Sequence, residues 1–262
     1  MGLAMLGAVS QGILWGVMVL GVFITYKLLD IADLTVDGSF ALGGSVCAVL
    51  VVSGVDPVLA IFAAMLAGMI AGAVTGFLHT VFEIPAILAG ILTQIALWSV
   101  NLRIMGKSNT PLLRVDTLFS SVTDATGLPQ NVASIIVGLI FAVLIIVALY
   151  WFFGTEIGSA CRATGNNEAM VRALGVDTKV TKMIALTLSN GLVGLSGGLI
   201  CESQGYADIG MGTGAIVIGL AAIVIGEVLG RLTPGKLRSF GSRLTAAVVG
   251  SVVYFLIRAI VL

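Results

Sequence analysis

The stretch "PVLAIFAAMLAGMIAGAVTGFLHTVF", from Pro57 to Phe82, contains no Asp, Glu, Lys or Arg. A bilayer core is crossed by about 20 apolar residues of helix, so this segment suffices. Within it Ala64, Gly68, Gly72 and Gly76 recur every four residues. Small side chains at that spacing line one helix face and let a second backbone approach closely. The segment is therefore expected to be both a membrane span and a packing surface. Asn190, Gly194 and Gly198 repeat the spacing further along and are expected to serve a second helix in the same way.

Charge-free stretches recur at 1–26, 38–55, 57–82, 84–102, 125–155, 183–201, 209–226 and 244–257. The last is short, and Arg258 would have to reach toward the headgroups. Over 262 residues the chain is 58% hydrophobic and 10% charged, with a mean hydropathy of +1.14 and 34 glycines. These features predict an all-α polytopic membrane protein of about eight transmembrane helices, forming one domain over residues 1–262. Zero net charge and the absence of a dense basic patch exclude nucleic acid as a partner. No charged region precedes the first apolar run, so the first span is expected to stay in the membrane. Cys47, Cys161 and Cys201 lack metal-ligand spacing and are expected to be small packing residues.

Basic residues near short loops mark the cytoplasmic side. Arg162, Arg172, Lys179 and Lys182 fall in 155–182, and Arg231, Lys236, Arg238 and Arg243 in 231–243. Two spans separate these loops, which places both inside. Counting back puts residues 28–37 and the link around Glu83 inside, and 103–130 and both termini outside. Arg103, Lys107 and Arg114 run against this assignment.

"ADLTVDGSFALGG" from Ala32 and "ADIGMGTGAIVIG" from Ala207 each open a span, on opposite sides by that count. An Ala-Asp start followed by a glycine-containing break suggests inverted repeats with interrupted helices, a common transporter plan. Ionisable groups near such breaks are costly and often line a polar path. Asp33, Asp37, Ser39, Glu202 and Asp208 are the candidates for a substrate path. Capping of the second span by its own Asp37 is the competing explanation.

"GRLTPGKL" at Gly230–Leu237 approaches a phosphate-binding loop but has Leu where Ser or Thr would ligate magnesium, and it joins two spans rather than a strand and a helix. His79 is the single histidine, with no nucleophile beside it in sequence. Neither supports catalysis, and no cofactor is expected on this chain.

"ATGNNEAMVRALGVDTK", Ala163–Lys179, is a polar island between two spans. Asn166 or Asn167 can cap a helix, Glu168 suits its first turn, Glu168 and Arg172 are four apart, and Gly175 can stop it. A helix of about eight residues is unstable alone and must dock on something.

From Gly158, "GSACRATGNNEAMVRALGVDTKVTKMIALTLSNGLVGLSGGL" resembles the cytoplasmic loop and following helix of ATP-binding-cassette importer permeases of the branched-chain amino acid and ribose type. "DLTVDGSFALGG" is similar to a second element of that family, and most like a branch labelled as tryptophan or tyrosine importers. The resemblance implies that loop 155–182 carries a cytoplasmic coupling helix, in which Gly165, Asn166, Asn167, Glu168, Arg172 and Gly175 transmit force from a separate ATPase. It implies a second permease copy, two ATPase subunits carrying ATP and Mg, an extracytoplasmic substrate-binding protein or lipoprotein, and multi-pass insertion in the bacterial inner membrane. Alternating access would move a small polar solute, an amino acid favoured. An ion-coupled carrier or channel without an ATPase, or a non-transporting scaffold, are the alternatives. The charge-free spans count against ion coupling, since such carriers bury an ionisable group mid-span.

Overall fold

A computed structural model describes residues 2–113, 115–232 and 239–261. The chain forms α1 (Gly2–Phe23, prolonged by a wider π-helical turn Ile24–Leu28), α2 (Thr35–Val52), α3 (Pro57–Thr80) and α4 (Ala86–Met105). There follow the short strand β1 (Asn109–Pro111), α5 (Leu118–Thr126), α6 (Gln130–Gly154), α7 (Glu156–Asn166) and α8 (Glu168–Ala173). α9 (Thr178–Gln204), strand β2 (Tyr206–Asp208), a 3-10 turn (Ile209–Gly212), α10 (Ala215–Leu232) and α11 (Phe240–Val261) complete it. Among the described residues, 8 helices are long and apolar enough to cross a membrane, matching the sequence expectation. The final span is longer than its charge-free stretch, because α11 takes in Arg243 and Arg258 near its ends. The near-miss phosphate loop lies mostly outside the described residues.

Local chemistry sets the ends. Asp56 accepts the Val58 amide with Pro57 at the first helical position, starting α3. Thr117 and Ser120 form a reciprocal capping box on α5, and Asp177 accepts the Lys179 amide to start α9.

α1 and α9 are the most enclosed spans, while α4, α6 and α11 turn more of their surface outward. The two small-residue stripes prove to be halves of one contact. A Cβ on Gly68 would run into the Asn190 carbonyl, and one on Gly72 into the Leu186 carbonyl. Gly194 meets the Ala64 carbonyl in return. Buried serines then tie the helices together: Ser189 donates to Gly21 O at 2.8 Å, Ser196 to Leu14 O at 2.9 Å, and Ser251 to Gly12 O at 2.8 Å. Each such interhelical bond contributes about 0.6 kcal/mol in a membrane protein. Cys47, Cys161 and Cys201 are all free and buried, as packing residues should be.

The predicted sides hold together. β1 pairs antiparallel with β2, Thr110 opposite Ala207, so segments 103–111 and 201–208 share one face despite Arg103 and Lys107. At the other end Glu83 meets Lys179 at 3.2 Å, Lys27 meets Glu227 at 2.8 Å, and Gly165 packs on Leu28 and Leu29.

One expectation is corrected. Residues 28–37, expected on the inner side, do not all stay at the basic face. Leu28 and Leu29 lie there against Gly165, but the chain then turns back into the protein: Thr35 bonds Thr75 at 2.8 Å, and Ser39 bonds Asn190 at 2.7 Å, midway along α9. α2 therefore begins inside the membrane layer. Its polar start is tolerated there because protein, not lipid, surrounds it.

Candidate functional site

Asn190 stands in a row of glycines on α9, where its small neighbours let α2 and α3 close around it. Its amide nitrogen donates to Asp33 Oδ2 at 2.6 Å and to Leu186 O at 3.1 Å, while its oxygen accepts from Ser39 Oγ. Asp33 Oδ1 accepts the Thr35 amide at 2.9 Å. Asp33 thus caps α2 and ties its start to α9, and all three side chains are buried.

Asp37 does not cap its own helix, as the sequence suggested. Its Oδ2 accepts the Gly214 amide and its Oδ1 the Ile216 amide, both at 3.0 Å, at the N-terminus of α10. Gly212 also packs directly on the Asp37 carbonyl. The starts of α2 and α10 therefore meet, with one carboxylate between two positive helix ends. This is a favourable place for an anion, each end contributing about 0.3–1 kcal/mol. Asp37 stands in the first turn of α2, where the neighbouring Gly38 packs on Gln94 and Leu97 of α4, so an ionisable side chain is held at the opening of a span and among other spans.

The other two path candidates stand apart. Glu202, buried, accepts the Leu118 amide at 2.8 Å and the Cys47 thiol at 3.4 Å, holding α5 onto the end of α9. Asp208 accepts the Gly210 amide at 2.7 Å and caps the 3-10 turn. It also borders a cavity of about 470 Å³, at the end of the fold opposite the basic face, that includes Gln11, Trp15, Tyr206 and Arg258.

The polar island forms a discrete structure on the basic face. Asn167 is the cap, its side chain accepting the Met170 amide at 3.0 Å, and Gly175 ends the turn with φ of +85°. α8 itself is only Glu168–Ala173, shorter than expected. Gly165 allows α7 to lie against the end of α1, since a Cβ there would strike the Leu28 carbonyl. Glu168 is the fulcrum: it binds Arg172 at 2.8 Å, Thr178 at 3.0 Å and Lys182 at 2.7 Å. The Lys182 ammonium above all holds the Glu168 carboxyl below its ordinary range. Met170 and Leu174 are left facing outward, 51% and 73% exposed. A short helix braced on one side and apolar on the other is a shape that can receive a partner.

Sequence reading missed Asn190, Thr178 and Lys182 as site residues. A lone Asn in a glycine stripe was the available signal for the first; the other two had none beyond their charge or hydroxyl. Among the described residues no cluster of His, Cys, Asp and Glu could hold a metal ion.

A family model described as the permease component of the branched-chain amino acid transport system matches residues 4–262. The chain belongs to this permease family. Its members are permease components rather than catalytic enzymes, and the eight apolar helices fit a multi-pass protein of the bacterial inner membrane. Among relatives, the permease resembles a tyrosine transport system permease protein of Clostridioides difficile, 38% identical over 191 residues, covering 73% of this chain and 62% of the relative. An uncharacterized protein of Rickettsia prowazekii is 34% identical over 189 residues, 72% of this chain and 64% of that protein. The ribose import permease protein of Escherichia coli K12 is 30% identical over 168 residues, 63% of this chain and 50% of the relative. The match thus spans between half and two thirds of the length of these relatives. No solved structure matches the chain.

Proposed function

We propose that this permease is the membrane-spanning subunit of an ATP-driven importer, working with a second copy, two separate ATPase subunits and an extracytoplasmic substrate-binding protein. α8 is the coupling helix, and the solute is small and polar, with an amino acid favoured by the likeness to a tyrosine permease. The observation that carries this reading is a series of polar bonds, joined through α9, from the basic face to the buried starts of α2 and α10. Glu168 on α8 holds Lys182 on α9; Asn190, on the same helix, holds Asp33 and Ser39 of α2; and Asp37 of α2 holds the start of α10.

Each link is short and charge-assisted or buried, so displacement of α8 by a partner would pass to the paired ends of α2 and α10 rather than dissipate in side-chain motion. Interrupted helices meeting at mid-depth, from segments with similar Ala-Asp starts, support the inverted-repeat plan and give the solute path a polar, adjustable centre. ATP closing the ATPase dimer would move α8 and open the path outward; hydrolysis would reset it. No residue of this chain performs chemistry.

Asp37 gives one specific observation to the ion-coupled alternative, since carriers of that class use an ionisable group at depth. Reconstitution separates them. The importer reading expects the chain to co-purify with an ATPase whose hydrolysis rises when the loaded binding protein is added. Solute uptake driven by a proton or sodium gradient, with no ATPase present, would overturn it.

A further inference from the structure

Four cationic side chains converge at the basic face, in a region that also takes in Gly165 and Asn166 at the end of α7. Lys27 comes from the π-helical end of α1, Arg162 from α7, Arg231 from the end of α10 and Arg243 from the start of α11. They border two cavities, of about 270 and 510 Å³, that share Lys27 and Arg243. Among the described residues lining them the one acid is Glu227, which pairs with Lys27 at 2.8 Å. Arg162, Arg231 and Arg243 make no ion pair among the described residues. The Arg162 guanidinium lies over the Phe240 ring at 5.4 Å, and its Nε is buried without a hydrogen-bond partner.

A buried, unpartnered guanidinium N–H is costly to leave unmet. Arg162, Arg231 and Arg243, without an ion-pair partner among the described residues, concentrate positive charge in a concave place beside a neutralised lysine. The fork of donors on arginine matches the oxygens of a phosphoryl group. The depth is also informative: this cleft lies between the cytoplasmic ends of α1, α10 and α11, where the headgroups of the inner leaflet reside. Basic pockets between spans on that side suit acidic lipid headgroups.

We infer that the cleft bounded by Lys27, Arg162, Arg231 and Arg243 binds a phosphoryl anion, presented by an acidic phospholipid of the inner leaflet or by a free phosphate-bearing solute. The ligand bridges α1, α7 and the α10–α11 pair, and Glu227 limits its affinity by occupying Lys27.

The test uses the purified full chain in detergent, with phosphatidylglycerol, phosphatidylcholine and inorganic phosphate as separate probes, bound ligand being counted by native mass spectrometry. Phosphatidylglycerol is expected to be retained at least tenfold more than phosphatidylcholine. Arg162→Gln and Arg243→Gln should each weaken retention about fivefold, the usual loss per basic residue near an anionic headgroup. Glu227→Gln should strengthen it by a similar factor, a gain that a misfolded variant could not give. Retention of inorganic phosphate alone, lost in the same two arginine variants, would assign the site to a soluble anion; retention of the lipid without it, to the membrane. Equal retention of the two lipids with no phosphate bound, an unchanged preference in both arginine variants, or weaker binding in Glu227→Gln, would overturn the inference.

Discussion

Asp37 Oδ1 accepts the Ile216 amide at 3.0 Å, joining the first turn of α2 to the first turn of α10 across most of the sequence. The same carboxylate also reaches Gly214, so one side chain neutralises two helix ends that would otherwise repel. Helices starting inside the membrane layer need such a group, because neither water nor lipid can satisfy their free amides.

Replacing that carboxylate tests its role. Asp37→Asn keeps one acceptor but removes the charge, and should lower stability by about 1–2 kcal/mol; Asp37→Ala, which strands both amides, should cost about 2–4 kcal/mol. Thermal unfolding of the detergent-solubilised protein measures both. Equal melting temperatures in all three proteins would show that the bond between α2 and α10 is incidental.

Asn190 presents a sharper case, because its loss leaves Asp33 buried with only a backbone partner. Asn190→Ala should destabilise by about 1–3 kcal/mol, the range for leaving a buried polar group without its hydrogen-bond partner. Adding Asp33→Asn should recover part of that loss, since the neutral amide no longer needs the missing donor. A double variant whose cost is the simple sum of the two singles would remove the coupling claimed between these residues.

The sequence made the spans, the small-residue stripes and the short capped helix legible, because each is a local pattern of hydropathy or spacing. Gly68 and Gly194 announced a helix contact through their four-residue period, and Asn167, Glu168 and Gly175 announced a capped turn. The partnerships were not legible. Asp37 reads equally well as a cap for α2 or for any helix brought near it, and only the re-entry of residues 31–34 decides between them. Glu202 looks like a path residue until Leu118, from a distant loop, supplies its amide. Bonds of that kind leave no period in a single chain.

Close packing of α3 on α9 predicts a steep dependence on side-chain volume. Gly72→Val would thrust its side chain into the Leu186 carbonyl and should sharply reduce recovery of folded protein, overpacking costing about 1–3 kcal/mol or more. Gly154→Ala, at an open position with nothing within 4 Å, serves as the control and should be neutral or slightly stabilising. Similar behaviour of the two variants would contradict the α3–α9 interface.

The docking of α8 should depend on pH. The folded Glu168 carboxyl sits below its ordinary value of 4.5, chiefly through Lys182. Its contribution is therefore fully present above that value and is lost as pH falls through the lower folded value. Because Glu168 is 37% exposed, solvent screens the effect and only a modest change is expected. Hydrogen exchange over 168–174, corrected for intrinsic rate, should accelerate between pH 6 and about pH 3 in the native protein, as depressed carboxylates imply. Glu168→Gln should show the faster exchange already at pH 6. Equal protection in both proteins at pH 6 would mean that Glu168 does not hold the helix.

Sidedness can be tested with cysteines, but not the native ones. Cys161 is buried and its thiol is pushed up to about 11 by burial, so it should resist maleimide at neutral pH; Cys47 and Cys201, also buried, should be equally silent. Leu174, 73% exposed beside α8, and Asp124, exposed on α5, are better reporters. In intact cells a membrane-impermeant maleimide should label Asp124→Cys and leave Leu174→Cys unmodified until the membrane is opened. The opposite pattern would invert the orientation and remove α8 from the reach of any cytoplasmic ATPase, taking the importer reading with it.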